Sequence, residues 1–191
     1  MATFYRGAGI GTYWHANDAK LTGFFPHAPR ASRSTATLIA HVKDGTTHSP
    51  YVSLTRSYSV AWTYAVFSGY EKPTAANPAY VYRVDIDDSR PAGILVLDPV
   101  CEIAKSVPRP LSPISYQHDG FADFLIGVVD PIRMAAHLAT PIKQPPPGGG
   151  TSRPANLSAE LETFVRALRD AELLAAGPIP PACVVNKFAV F

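Results

Sequence analysis

Residues 51–65 read YVSLTRSYSVAWTYA, and this stretch decides the fold. Its first part places Ser53 and Thr55 two residues apart, so a β-strand would carry both short hydroxyl side chains on one face. Ser57 stands where a helix N-cap is expected, before a helix over residues 58–68 that Gly69 ends. The stretch therefore predicts a strand, a turn and a helix.

Strands outnumber helices in the sequence on either side of this unit. Residues 3–6 read as a short first strand, and residues 79–86, AYVYRVDI, alternate aromatic and β-branched residues as a half-buried strand does. Two further strands are expected at 93–97 and 124–129, and helices at 12–22 and 34–43. The strands do not alternate with helices in βαβ order, which favours the α+β class over a doubly wound sheet.

A proline- and glycine-rich segment divides the chain. Residues 144–155 contain PPPGGG, which is typical of a linker. Apolar residues follow at helical spacing from Leu157 to Leu168, and Gly177-Pro178 is expected to end that helix. We therefore expect a main domain over 1–143, a linker over 144–155, and an appended C-terminal helix and tail over 156–191.

Composition excludes several classes of protein. The chain has 191 residues with 17 Lys and Arg against 15 Asp and Glu, and this formal net charge of +2 does not indicate a nucleic-acid-binding surface. Two cysteines without a CxxC motif predict no metal site, and they are expected as free thiols more than as a disulfide. No apolar run reaches the roughly 20 residues of a membrane span, and no signal peptide is recognisable. We expect a soluble chain, either cytosolic or a delivered or secreted toxin domain.

The polar residues of these strands suit one chemistry. Cleavage of the nicotinamide–ribose bond of NAD passes through an oxocarbenium-like species, as glycoside hydrolysis does. Arg6 offers a guanidinium for the phosphates, Ser53 and Thr55 offer hydroxyls for the ribose, and Asp123 offers a carboxylate for the cation. Each residue also has an ordinary structural interpretation: a surface ion pair, strand propensity or a turn.

The pattern resembles the cholera/pertussis-like ADP-ribosyltransferases. That family places an arginine on its first core strand, as in Tyr5-Arg6-Gly7, and then an aromatic-Val-Ser-Thr-Ser strand, similar to residues 51–55. A helix with Ala and Tyr-Ala follows, as at Ala61 and Tyr64-Ala65. The resemblance implies a core of two packed mixed or antiparallel sheets with flanking helices, and NAD as substrate. It assigns NAD binding to Arg6, Gly7, Ser53, Thr55 and Tyr64.

The family's catalytic glutamate has no counterpart in the expected place. In the family this glutamate follows a Glu or Gln two residues earlier, and it heads a strand that closes in Gly-x-Ile-Pro-Pro. Residues 127–131, GVVDP, are similar to that closing segment. One register then puts Asp123 on the catalytic position, and the other puts Ala122 there. Asp119, with His118 as a ribose contact, is a third candidate.

The resemblance implies an NAD-dependent mono-ADP-ribosyltransferase of the toxin or effector type. It would transfer ADP-ribose to a macromolecular acceptor, protein or nucleic acid, and the resemblance also implies an immunity-type partner. An NAD glycohydrolase on the same fold is the second hypothesis. The third is a non-catalytic NAD-binding module, which the missing glutamate motivates, and the fourth is an unrelated α+β domain.

Overall fold

The computed structural model describes residues 2–87, 94–106, 116–118, 121–124, 163 and 166–191, and it has the expected α+β class. The strands are β1 (Ala2–Ala8), β2 (Tyr51–Thr55), β3 (Ala79–Ile86), β4 (Leu95–Leu97), β5 (Tyr116–His118), β6 (Phe121–Phe124), β7 (Glu172–Ala176) and β8 (Val184–Val190). The helices are α1 (Tyr13–Ala16), α2 (Ala19–Thr22), α3 (Thr35–Asp44), α4 (Tyr58–Phe67) and α5 (Pro99–Ser106), with a 3-10 turn at Pro181–Cys183.

Six strands form one antiparallel sheet in the order β4-β7-β2-β1-β3-β8. Its middle is weakly joined, because β1 and β2 pair at one position, Tyr5 opposite Thr55, whereas β1 and β3 pair over seven positions. The sheet thus consists of two three-stranded halves that diverge beyond this pair. The expected pair of packed sheets is therefore replaced, within the described residues, by one divided sheet and a separate β5–β6 hairpin.

The two halves carry different helices on the same face. Helix α4 packs over β1, β3 and β8 through Ala61, Ala65 and Val66. Helices α3 and α5 cover β2, β7 and β4, where Leu38 and Ile103 are buried against the strands. A third cluster, which includes Trp14 and Phe24, covers the opposite face. A gap between the two helical layers remains above the junction of β1 and β2.

Local sequence explains the elements that the sequence predicted. Ser57 caps α4, since its hydroxyl accepts a hydrogen bond from the Val60 amide at 3.3 Å, and Ser34 caps α3 in the same way. The β3 strand covers the predicted residues 79–86. The predicted helix over 12–22 is instead two short helices, α1 and α2, because Asn17 and Asp18 leave the helical conformation and Asp18 caps the second.

The prediction of a C-terminal helix and tail over 156–191 is wrong for its second half. Residues 166–169 are helical, but β7 and β8 follow, and both belong to the six-stranded sheet. Strand β7 lies between β2 and β4, with Leu174, Ala175 and Ala176 fully buried. No alternation marks β7 in the sequence, because a strand buried on both faces can be apolar throughout. Residues 144–155, the predicted linker, lie outside the described part of the chain.

Three further observations concern cysteines, membrane spans and metal sites in the described residues. Cys101 is exposed and Cys183 is buried, and both are free thiols, as expected. No described helix is long and apolar enough to cross a membrane. Over the same described residues, no group of three or more His, Cys, Asp or Glu side chains is arranged to hold a metal ion.

Candidate functional site

A cleft of about 400 Å³ opens where β1 and β2 diverge. Such a volume lies within the range of small-molecule sites. Its described walls come from β1 and the loop after it, from β2, from one face of α4, and from the start of β7. The residues that line it include Arg6, Gly9, Gly11, Ser53, Thr55, Tyr64, Tyr70, Asp170 and Glu172.

Arg6 fills the space between the diverging strands. Its Nη1 donates a hydrogen bond to the Ser53 carbonyl at 2.5 Å, so the side chain takes the place of a missing ladder bond. Its Nε is buried and has no hydrogen-bond partner among the described residues. Burial lowers the pKa of this guanidinium to about 10, although Glu172 opposes the shift. Arg6 therefore stays a cation, and it lines the cleft with one buried donor that no described residue uses.

Glu172 is a largely buried carboxylate that lines the cleft at the start of β7. Strand pairing places it opposite Thr55, and Thr55 is opposite Tyr5, so the three residues share one face of the sheet. Burial raises the pKa of Glu172 to about 7, and a hydrogen bond from Ser53 acts in the other direction. Its side chain is only 12% exposed. A desolvated carboxylate facing a cleft is a good stabiliser of a developing positive charge, because the low dielectric strengthens the attraction.

A chain of hydrogen bonds through His41 of α3 holds the Ser53 side chain. His41 on α3 lies with Nε2 2.7 Å from the Ser53 hydroxyl and Nδ1 2.5 Å from the Ser49 hydroxyl. The tautomer that leaves the Ser53 proton free for Glu172 has His41 Nε2 donating to Ser53 and Nδ1 accepting from Ser49. Ser49 in turn accepts from the Tyr51 amide at 3.1 Å. The chain orients the Ser53 hydroxyl toward the carboxylate.

His41 remains neutral in this arrangement. Burial and the nearby Arg6 cation lower its pKa to about 3. Its Nε2 is 3.7 Å from Glu172 Oε1, which is too long for a hydrogen bond. We therefore treat the pair as a contact rather than an ion pair, and His41 as a residue that positions Ser53.

Thr55 and Tyr64 fix the start of β7. The Thr55 hydroxyl donates to the Asp170 carbonyl at 2.6 Å and accepts from the Ser57 amide at 3.1 Å. The Tyr64 hydroxyl donates to Asp170 Oδ2 at 2.6 Å, and burial together with this bond raises the Tyr64 pKa to about 12. These contacts tie β2 and α4 to the segment that carries Glu172.

Asp170 forms the end of the cleft next to Glu172. Arg169 reaches its carboxylate with two nitrogens, at 2.6 and 2.7 Å. Burial acts to raise the pKa of Asp170, but the hydrogen bonds from Arg169 and Tyr64 outweigh it and the pKa is lowered. The side chain of Arg169 is 64% exposed, so its guanidinium covers the Asp170 carboxylate from the solvent side.

Gly7 serves the packing of the cleft wall. A Cβ atom at this position would lie 2.1 Å from the Ala61 carbonyl oxygen and 2.7 Å from the Ala65 nitrogen. Only a glycine lets β1 approach the backbone of α4 so closely. The predicted binding role of Gly7 is thus compatible with the structure, which also gives the residue a structural reason.

The structure brings together five of the residues predicted from sequence: Arg6, Gly7, Ser53, Thr55 and Tyr64. None of the predicted catalytic positions is among the described residues that line this cleft. Ala122 and Asp123 are in β6, which pairs with β5 and not with the sheet that holds Arg6 and Ser53. His118 ends β5, and Asp119 lies outside the described residues. The predicted strand over 124–129 lies beyond Phe124 outside the described residues, and the catalytic role of Asp123 or Ala122 stays a prediction.

Sequence reasoning missed Glu172, Asp170 and His41. The signal for Glu172 was present, because residues 177–181 read GPIPP and match the closing Gly-x-Ile-Pro-Pro segment letter for letter. The structure explains that segment: the backbone of Ile179 exchanges two hydrogen bonds with Phe24, at 2.7 and 2.9 Å. This anchors the end of β7 to the body of the fold. No comparable sequence signal marks His41.

Comparison of the chain with protein-family models, with curated proteins and with solved structures found no match.

Proposed function

We propose that this chain is an NAD-dependent mono-ADP-ribosyltransferase that uses Glu172 as its catalytic carboxylate. The observation that carries the proposal is the buried Glu172, held by Ser53 and facing the Arg6 cation in an open cleft. An oxocarbenium ion needs such a carboxylate, and the NAD pyrophosphate needs such a guanidinium. The acid Asp170 two residues earlier and the GPIPP segment add to the resemblance seen in the sequence.

The residues would act on NAD in three ways. Arg6 would hold the pyrophosphate, and Ser53 would keep the carboxylate in place beside the ribose. As the bond between ribose C1′ and the nicotinamide nitrogen breaks, its electron pair leaves with neutral nicotinamide. Glu172 would stabilise the ribosyl cation until a nucleophile on the acceptor adds to C1′ and releases its proton.

An NAD glycohydrolase is the second candidate, and one observation favours it. Asp170, two residues before Glu172, already has Arg169 and Tyr64 as hydrogen-bond partners. Water needs no docking carboxylate, whereas a macromolecular acceptor would have to displace Arg169. The third hypothesis, a non-catalytic binding module, is motivated by a missing glutamate, and the proposal places Glu172 in that role. The toxin or effector role and an immunity-type partner stay predictions.

The test is NAD cleavage by the purified chain, with NAD labelled in its adenylate phosphate. A transferase releases nicotinamide and places label on protein or nucleic acid from a cell extract. A glycohydrolase releases nicotinamide and leaves the label in free ADP-ribose. Failure to release nicotinamide, with or without extract, would overturn both proposals.

The pH dependence of this cleavage should report Glu172. The carboxylate must be ionised to stabilise the cation, and its pKa is about 7. We expect kcat/KM for NAD to fall about tenfold per pH unit below 7 and to level off above it. His41, with a pKa of about 3, should add no inflection near neutral pH. An initial-rate profile from pH 5 to 9 checks this, and a midpoint near 4.5 would contradict the assignment.

A further inference from the structure

Tyr70 is an aromatic residue that the proposed chemistry does not use. It is 86% exposed, yet its backbone is fixed, because its amide donates to the Ile10 carbonyl at 2.8 Å. Its ring lies against Gly11, where φ is +79° and an added Cβ would be 2.4 Å from Cδ2. The ring thus packs on the backbone of Gly11, which has no side chain, and it borders the cleft. An exposed aromatic held in this way is available for stacking.

The cleft runs along α4, with Glu172 and Tyr70 at opposite ends. Val60, Tyr64 and Ser68 all line the cleft, and the eight steps from Val60 to Ser68 correspond to about 12 Å of helical rise. At the start of α4 the Arg56 amide bonds the Ala171 carbonyl, next to Glu172. Beyond the end of α4, a Cβ added to Gly9 would be 2.5 Å from the Gly69 nitrogen. Tyr70 follows directly and therefore marks the remote end.

The proposed chemistry determines which way a dinucleotide would lie in the cleft. Among the described residues that line it, the carboxylates are Asp170 and Glu172, and both are at the same end. Arg169 pairs with Asp170, so Glu172 is the carboxylate left to face a developing cation. The remote end is lined by Gly9, Gly11 and Thr12, which carry no charge. Since the cleaved bond must lie at Glu172, the ADP half extends toward Tyr70.

We propose that Tyr70 is the stacking platform for the adenine base of NAD. This inference rests on the proposed function for the direction of the dinucleotide. A base stacked on an aromatic side chain contributes about 1–3 kcal/mol to binding. Tyr70 is remote from Glu172, so it contributes to the affinity for NAD and not to bond cleavage. The residue thereby selects a substrate that carries a base at its far end.

The experiment compares Tyr70→Ala and Tyr70→Phe by calorimetric titration with ADP-ribose, which has the adenine but no bond to cleave. Tyr70→Ala should weaken ADP-ribose binding about 5- to 150-fold, and Tyr70→Phe should stay within about twofold, since the phenyl ring still stacks. Nicotinamide mononucleotide, which lacks the adenylate, should bind both variants as it binds the unmodified chain. For NAD cleavage, Tyr70→Ala should raise KM and leave kcat unchanged.

Phe67→Ala is the matched control, because Phe67 is 71% exposed near the same end of α4 and does not line the cleft. Unchanged ADP-ribose binding by Tyr70→Ala would overturn the inference, as would an equal loss for nicotinamide mononucleotide. The two proposals fail separately. If the unmodified chain binds ADP-ribose through Tyr70 but releases no nicotinamide, the stacking site stands and the catalytic proposal falls.

Discussion

Glu172→Gln should reduce nicotinamide release from NAD on the order of 10³-fold while NAD still binds. The amide keeps the size of the carboxyl group and a hydrogen bond to Ser53, but it carries no charge to oppose the ribosyl cation. Removing one preorganised electrostatic partner from a desolvated site costs about 10²–10³ in kcat, and a full charge is at the upper end of that range. Single-turnover release of nicotinamide measures the effect.

The same substitution should stabilise the fold above neutral pH. The pKa of Glu172 is about 7 when folded, against 4.5 for the model carboxyl, so the native chain binds the proton more tightly than the unfolded one. Stability from this group is therefore lost as the pH rises from 4.5 through 7. Glu172→Gln should remove that loss and raise the melting temperature at pH 8, with little change at pH 4.5. Thermal unfolding at both pH values checks the sign.

Two further variants make the result specific. Glu71→Gln, at an exposed position outside the cleft walls, should leave nicotinamide release unchanged. Asp123→Asn addresses the carboxylate that the sequence pattern pointed to, and we expect it to retain activity. Loss of release in Asp123→Asn together with full release in Glu172→Gln would move the catalytic position to β6 and contradict the site described above.

Arg6→Lys should lower kcat/KM for NAD about 100-fold. The planar guanidinium donates to the Ser53 carbonyl with one nitrogen and has no described partner for its buried Nε, which the proposed function assigns to a phosphate oxygen of NAD. A lysine ammonium is a compact charge without the rigid planar fork that directs donors to two partners at once. Loss of a charge-assisted hydrogen bond is worth about 1.5–3 kcal/mol, which corresponds to roughly 10- to 150-fold. Steady-state kinetics and ADP-ribose titration should show similar losses, because Arg6 acts on the phosphates.

Arg83→Lys is the matched control for this change. Arg83 is on β3 directly opposite Tyr5, its side chain is 40% exposed, and it pairs with Asp85 outside the cleft. This variant should behave as the unmodified chain. If Arg6→Lys also retained its affinity for ADP-ribose, Arg6 would have only the structural task of filling the gap between β1 and β2.

The parts of the site that depend on short-range sequence patterns could be predicted from the sequence. The spacing of Ser53 and Thr55, the cap at Ser57 and the alternation of β3 are short-range properties, and the structure confirms each of these elements. His41 could not be found in this way. Its helix was predicted, but a histidine on a helix acquires a role only when the helix packs with that side against Ser53.

The sequence by itself determined the strand–turn–helix unit, the arginine strand before it and the α+β class, because hydrogen bonding, capping and side-chain alternation act between near neighbours. The tertiary structure alone decided which carboxylate joins them. The residues of β7, ELLAA, favour a helix by intrinsic propensity, and they become a strand because β2 and β4 pair with its two edges and apolar clusters bury both its faces. Burial by strands far away in the sequence overrides local propensity, and it carries Glu172 to Arg6 and Ser53.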